Sequence, residues 1–243
     1  MKDVIFTIKE NIQIAPSTFR MILEGDTSEI QKPGQFVNIR LDGFFLRRPI
    51  SVCDCEGSLL TIIYKTVGKG TTAMAEMKAG QTLLLLTGLG NGYETDDSGD
   101  APLLIGGGAG VPPMYLLARK LRKEGKQVTA ILGFNTKNEK FYEEEFRKIG
   151  CQVIVTTVDG SYGTKGFVTD AFPETYSYVY ACGPEPMLKA VYHKAEDGQF
   201  SFEERMGCGF GACMGCSCKT ITGYKRICKD GPVLRKEEIL WED

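Results

Sequence analysis

The chain has 243 residues, 42% hydrophobic and 25% charged, with a formal net charge of −2 at pH 7. This length accommodates two domains and a small appendage, and the composition is ordinary for a soluble globular protein. A charge so near zero gives no electrostatic case for nucleic acid or an anionic membrane as partner.

The opening residues, MKDVIFTIKEN, hold no apolar segment of the kind a secretory signal needs, so a cytoplasmic location is expected. The longest uncharged run, 101–118, contains Pro102, Pro112, Pro113 and four glycines. It reads as a strand, a loop and a helix start rather than a membrane span. Nine unevenly spread cysteines fit a metal site in a reducing compartment better than a disulfide framework.

Residues 1–96 are rich in β signals. Short β-branched or aromatic runs at 4–8, 18–23, 35–40, 49–52, 59–64 and 82–86 are separated by turn pairs such as Pro33-Gly34, Asp42-Gly43 and Glu56-Gly57. Six strands at near-regular spacing predict a small antiparallel barrel. One helix is expected to interrupt it, from Thr71 or Thr72 to Met77, entered through Gly68-Lys69-Gly70. Two stretches here suit anions. Arg47-Arg48-Pro49-Ile50-Ser51 offers a guanidinium fork and a hydroxyl. Gly68-Lys69-Gly70-Thr71-Thr72 offers bare backbone at a helix N-terminus. Two anion sites on one barrel suit a pyrophosphate, and a surface arginine beside a flexible turn is the bland alternative. Cys53 and Cys55 are expected to be small buried hydrophobes rather than metal ligands.

The pattern changes at the acidic stretch 96–100, the best linker candidate. Strands at 103–105, 128–133, 153–158 and 178–182 then alternate with helices at 114–124, 143–149 and 187–195. This alternation predicts a doubly wound parallel sheet. Gly106, Gly107, Gly108 and Gly110 lie between the first of these strands and its helix. They do not spell the G-x-G-x-x-G fingerprint, yet they place open backbone where a dinucleotide pyrophosphate can sit. Cys182-Gly183-Pro184 repeats the arrangement after a later strand, so one ligand at the carboxyl edge would meet both loops. Asp159, ending the third strand, suits ribose hydroxyls and disfavours a 2′-phosphate, which points to NAD. His193 reads as a surface residue.

The segment 205–228 carries the most specific signal. Cys208, Cys213 and Cys216 have the C-x4-C-x2-C spacing of plant-type [2Fe–2S] proteins. Glycines between them allow the backbone to wrap closely around a cluster. For the fourth ligand, Cys218 is nearer and Cys228 more distant. Cys216 and Cys218 on an extended segment would point to opposite faces. That favours Cys228, reached if the chain doubles back at Thr222-Gly223-Tyr224. Structural zinc in an interaction module is also compatible with four cysteines.

Together, the R-P-I-S strand, the glycine-rich helix entry, the GGGAGVPP loop and the CGPEPM loop resemble the ferredoxin–NAD(P)⁺ reductase superfamily. Adding EERMGCGFGACMGC and CKDGPV, the chain resembles, over essentially its whole length, the electron-transfer subunits of class 1B dihydroorotate dehydrogenases. The resemblance implies a barrel (1–96) that holds FAD, an NAD-binding α/β domain (97–200) and a small [2Fe–2S] loop domain (201–243). By motif match, Arg48, Pro49, Ile50, Ser51, Ile63, Tyr64 and Lys65 would line the flavin, and Gly70 and Thr71 would take its pyrophosphate. The cluster ligands would be Cys208, Cys213, Cys216 and Cys228. No residue of this chain is expected to act as a general acid or base, so no catalytic residue is assigned. The implied partner is an FMN-containing catalytic subunit that oxidises dihydroorotate in pyrimidine biosynthesis, in a heterotetramer of two of each chain. Electrons would pass from that FMN through the cluster and FAD to NAD⁺. A similar chain is the small subunit of NADH-dependent ferredoxin:NADP⁺ oxidoreductases, which tend to carry an acid where this sequence has Cys208.

Overall fold

The computed structural model describes residues 1–241. Strands β1 (Lys2–Ala15), β2 (Thr18–Glu24), β3 (Phe36–Arg40), β4 (Arg48–Glu56) and β5 (Leu59–Lys65) come first. Helix α1 (Lys69–Glu76) and β6 (Thr82–Leu89) follow, and the six strands close an antiparallel barrel in the order β1-β2-β5-β4-β3-β6. Inward-facing Phe6, Ile8, Met21, Leu23, Ile39, Val52, Ile62 and Leu85 fill it, as period-two alternation requires. Strands β1, β4 and β6 each run three or more residues longer than expected. The outer half of β1 has half-buried Asn11 beside exposed Ile12 and Gln13. It is held by hairpin pairing with β2 across a register shift and by Asn11 Nδ2 donating to the Met74 and Met77 carbonyls at 2.8 and 3.0 Å, contacts that leave no clean alternation in the sequence.

The second unit comprises β7 (Leu103–Gly107), α2 (Val111–Lys123), β8 (Thr129–Phe134), α3 (Glu143–Lys148), β9 (Gln152–Thr157), β10 (Thr164–Lys165), β11 (Val179–Cys182), α4 (Glu185–Lys194) and β12 (Gly198–Ser201). The remaining chain adds a hairpin, β13 (Ser217–Thr220) and β14 (Gly223–Arg226), and a last strand, β15 (Val233–Arg235). The sheet order is β10-β9-β8-β7-β11-β12-β15. Every pairing is parallel except β12 with β15. The chain first winds outward from β7 and then returns to its other side at β11, so the topological switch point lies between these two strands. There Cys182 is in register with Gly106.

Helices α2 and α4 begin earlier than expected, because Pro112, Pro113 and Pro186 occupy first-turn positions. Proline is tolerated there, since those N–H groups have no intrahelical partner. The expected boundary at 200/201 falls inside β12, and β15 from the tail completes the nucleotide sheet. Hydrophobic cores cross the other boundaries as well. Cys53 and Ile63 of the barrel pack with α2, β8 and Phe146. Phe36, Leu86 and Leu89 share a core with Ile105, Val179, Cys216, Ile227 and Cys228. No helix among the described residues is long and apolar enough to cross a membrane.

Candidate functional site

The two barrel stretches expected to suit anions meet. A Cβ on Gly70 would lie 2.0 Å from Arg48 Nε, so only glycine lets this guanidinium lie along the first turn of α1. Arg48 also sits over the Phe44 ring, 4.7 Å from its centroid. Helix α1 starts at Lys69, earlier than expected, because Thr71 Oγ1 accepts from the N–H groups of Val67 and Gly68 at 3.0 and 3.3 Å. Thr71 is buried by this role. The adjacent arginine behaves differently: Arg47 forms a double hydrogen bond with Asp3 at 2.6 and 3.2 Å. Sequence alone could not separate the two.

On β5 the three residues divide. Ile63 is buried in the core between barrel and nucleotide sheet. Tyr64 is buried in the barrel, stacked on Phe19 and donating to Asn11 Oδ1 at 2.9 Å. Their side chains are committed to packing, which leaves backbone to meet a ligand. Lys65 reaches across instead: its Nζ lies 3.8 Å from Glu139 and 3.8 Å from where a Gly108 Cβ would sit. Sequence reasoning missed Glu139, which lies in a polar loop without a motif.

The two loops at the switch point touch. A Cβ on Gly110 would fall 2.0 Å from the Cys182 carbonyl oxygen, and one on Gly107 would fall 2.4 Å from Met187 Sδ. Gly106 abuts Val111, and Gly183 abuts Met187. Gly106 and Gly110 face backbone that leaves no room for a side chain, whereas Gly107 and Gly183 face the end of the flexible Met187 side chain. Gly108 alone, with φ +51°, opens toward Lys65 and the barrel. Pro184 caps the N-terminus of α4. Burial pushes the Cys182 thiol up to about 12. Asp159 is exposed beyond β9 and accepts from the N–H and O–H of Ser161 at 2.9 and 2.6 Å. It caps its own turn. His193 is exposed.

In the tail the cysteines form two pairs. The Cys208 N–H donates to Cys213 Sγ and the Cys213 N–H to Cys208 Sγ, both at 3.4 Å, and the Cys228 N–H donates to Cys216 Sγ at 3.4 Å. Cys208 is also close enough to Cys228 to act on it electrostatically. Backbone N–H groups aim at the sulfurs: Phe210, Ala212 and Cys213 at Cys208 (3.5, 3.2 and 3.4 Å), Gly215 at Cys213 (3.5 Å) and Cys228 at Cys216 (3.4 Å). Gly209 and Gly211 at φ +80° and +92° make this wrap possible. Burial works against ionisation of Cys208, but the N–H groups of Phe210, Cys213 and Ala212 outweigh it and bring its pKa down to about 6. Cys228 moves the other way: burial, then the adjoining Cys216 thiol, raise it to about 12. Thiolates crowded in this way need a metal's positive charge to coexist.

Among the described residues no three His, Cys, Asp or Glu side chains converge as a single-ion site. Two neighbouring pairs suit a two-iron cluster with two thiolates per iron better than one tetrahedral zinc. Hairpin β13–β14 brings Cys228 back, turning at Ile221-Thr222, one residue before the expected turn. Cys218 lies on β13, with its thiol raised by burial and by Glu204. It lines a groove of about 760 Å³ with Phe202, Glu204 and Trp241. Arg226, which carries no spacing signal, clamps the loop. It donates to the Gly211 carbonyl at 3.0 Å and to both Asp230 oxygens at 2.9 and 3.1 Å. Cys53, inside β4 and fully buried, is the small hydrophobe expected, and Cys55 is half-buried.

A closed barrel, a switch-point nucleotide sheet and a cysteine loop joined to both define an oxidoreductase of the ferredoxin-reductase type with an iron–sulfur appendage. Residues 104–193 match the oxidoreductase NAD-binding domain, and 203–240 match the iron–sulfur cluster binding domain of dihydroorotate dehydrogenase B. The chain belongs to the family of electron transfer subunits of dihydroorotate dehydrogenase B (NAD⁺). It is 46% identical to the subunit of that name from Fusobacterium nucleatum, covering 98% of this chain and 99% of that protein. It is 44% identical to the one from a Geobacillus species, covering 99% of each. Among solved structures, an NADH-dependent reduced ferredoxin-NADP oxidoreductase aligns with a TM-score of 0.88 at 33% identity, over 97% of this chain and 90% of that one. The ferredoxin reductase of carbazole 1,9a-dioxygenase shares the fold, with a TM-score of 0.69 at 23% identity over 79% of this chain and 64% of that one.

Proposed function

We propose that this chain relays electrons between the FMN of a dihydroorotate-oxidising catalytic subunit and NAD⁺, using a [2Fe–2S] cluster and FAD, in the cytoplasm. The observation that carries the reading is the pairing of four thiols under a canopy of backbone N–H groups, beside the barrel. Cys208 and Cys213 would hold one iron, and Cys216 and Cys228 the other. Arg48 and the α1 turn at Gly70 and Thr71 would hold the FAD pyrophosphate, with Pro49, Ile50 and Ser51 and the backbone of Ile63 and Tyr64 along the flavin. The residues present fit these groups. The Arg48–Gly70 contact makes a cationic cradle at a helix N-terminus, and the thiol pairs match a two-iron centre. When bound, FAD exchanges a hydride with NAD(H) and single electrons with the cluster, which joins a two-electron donor to a one-electron carrier.

The chain's residues bind and orient. Gly108 leaves open backbone for the NAD pyrophosphate, and Lys65 supplies a cation across the cleft. Cys182, Gly183 and Pro184 border the same edge, where the nicotinamide would face the barrel. Asp159 would meet ribose hydroxyls, which favours NAD over NADP. No side chain is called on to move a proton, so no catalytic residue is assigned. The partner subunit, in a heterotetramer of two of each chain, would dock on the exposed side of the cysteine loop, where Phe210 and Met214 are solvent-accessible. The ferredoxin-type reading is weaker, because Cys208 completes the thiol set and the dihydroorotate dehydrogenase relatives are the more similar.

The test is anaerobic co-purification from the native host, followed by dihydroorotate-dependent reduction of NAD⁺. An FMN-containing complex with that activity is the expected result. An FMN-containing complex without it, reducing ferredoxin instead, would overturn the assignment.

A further inference from the structure

Asn38 is the one polar side chain of β3 buried where the barrel meets the cysteine loop, at 1% exposure. Its partner across the β3–β4 ladder is Pro49, inside the strand assigned to the flavin. Its Nδ2 donates to the Cys208 carbonyl at 3.3 Å, across 170 residues of sequence. The orientation of the amide follows from chemistry: a carbonyl only accepts, so the nitrogen faces Cys208 and Oδ1 faces away. Oδ1 is buried and has no hydrogen-bond partner. On the loop side, Gly209 lies so close that a Cβ would come within 2.3 Å of Nδ2. The β3–β6 register also shifts between Phe36 and Asn38, and such irregularities re-aim a side chain.

A residue serving only stability would not leave a buried acceptor unpaired, because a leucine of similar size would fill the space without that cost. We propose that Asn38 is a positioning residue that ties the first cluster-ligand segment, Cys208-Gly209, to the flavin strand of the barrel. It thereby sets the approach of the two redox sites and the surroundings of the Cys208 side of the cluster. This rests on the functional reading above, in which Cys208 is a ligand and Arg48–Ser51 lies along the flavin.

The experiment compares the full chain, purified anaerobically with its flavin and cluster, with Asn38→Leu and Asn38→Ala. Three quantities are read: the EPR spectrum of the reduced cluster, the stopped-flow rate at which NADH reduces the cluster, and the melting temperature. In Asn38→Leu, iron and flavin contents stay near those of the parent chain and the melting temperature does not fall. The EPR spectrum changes, and cluster reduction slows by about 10- to 100-fold, the usual effect of losing a contact that orients a metal ligand. Asn38→Ala removes the same amide without adding bulk and leaves the cysteine loop's own residues unchanged, so it reports the contact even if Asn38→Leu does not fold. An Asn38→Leu chain with parental EPR spectrum and rate would overturn the inference, as would a parental spectrum and rate in Asn38→Ala if the leucine variant fails to fold. A parent chain that binds no cluster would instead refute the functional reading itself.

Discussion

Cys218 and Cys228 differ in what surrounds them more than in chemistry. Cys228 is 1% exposed, and its N–H donates to Cys216 Sγ at 3.4 Å. Cys218 faces the groove beside Glu204 and Trp241. Replacing Cys228 with serine removes a thiolate from a closed pair, so about a tenth or less of the cluster's visible absorbance should remain. Cys218→Ser should keep it. Iron and sulfide analysis of the two variants checks this, and the opposite pattern would reassign the fourth ligand. The spacing of the first three cysteines was legible in the sequence because cluster ligation imposes short, fixed intervals. Arg226 and Glu139 were not, because an arginine clamp and a cross-cleft ion pair depend on chain segments that meet only after folding.

Elements show a similar division. Barrel and sheet strands follow from alternation and apolar runs, whereas β12 and β15 are four and three residues long and carry no period. They exist because the sheet offers an edge. Helix starts were read late at α2 and α4, since proline signals a break locally while the first turn accepts it. Helix α1 illustrates how an element serves a site. Alanine at Gly70 gains about 1 kcal/mol of helix propensity, yet its Cβ would collide with Arg48 at 2.0 Å. Gly70→Ala should therefore leave thermal stability near or above that of the parent and weaken flavin retention by about tenfold or more, the effect of losing one charge-assisted contact. Flavin absorbance after gel filtration measures it.

Helix α3 carries a pH-dependent element. Glu143 is 2% exposed and is held by Lys140 at 2.5 Å, Arg147 at 2.6 Å and the Tyr162 hydroxyl at 3.2 Å. Burial acts to raise its pKa, but the Lys140 ammonium, the Tyr162 hydroxyl and Arg147 together pull it below the ordinary 4.5. A carboxyl depressed in the fold contributes stability above its unfolded pKa and loses it as pH falls through the folded value. Glu143→Gln should cost roughly 1–2 kcal/mol near pH 7. The gap from the parent should narrow as the pH is lowered from about 5 toward 3. Melting curves over that range test the sign.

At the scale of the whole molecule, shared cores and ion pairs, Lys65–Glu139 and Arg119–Asp54 among them, join the units into a frame for the redox sites. Arg119 of α2 reaches β4, meeting Asp54 at 2.7 Å with side-chain exposures of 16% and 20%. Burial raises the Asp54 pKa even against Arg119, so the carboxylate depends on its partner. Arg119→Met should destabilise the chain by about 2 kcal/mol, and Asp54→Asn in the same chain should recover part of it, as a denaturant double-mutant cycle would show. The change from barrel strands to alternating strands and helices after the acidic stretch 96–100 was legible from local pattern. That Cys216 and Cys228 sit in one core with Phe36, Leu89 and Ile105 was not, because hydrophobic contact across a boundary leaves no mark in local pattern.

A flavin and a two-iron cluster held on one chain are in electronic contact if electrons from NADH reach the iron. Anaerobic titration of the isolated chain with NADH, followed by visible absorbance and EPR, tests it most directly. Bleaching of the flavin together with the appearance of a reduced [2Fe–2S] EPR signal is the predicted result. Absorbance that does not respond to NADH, or a flavin that bleaches with no cluster signal, would contradict it.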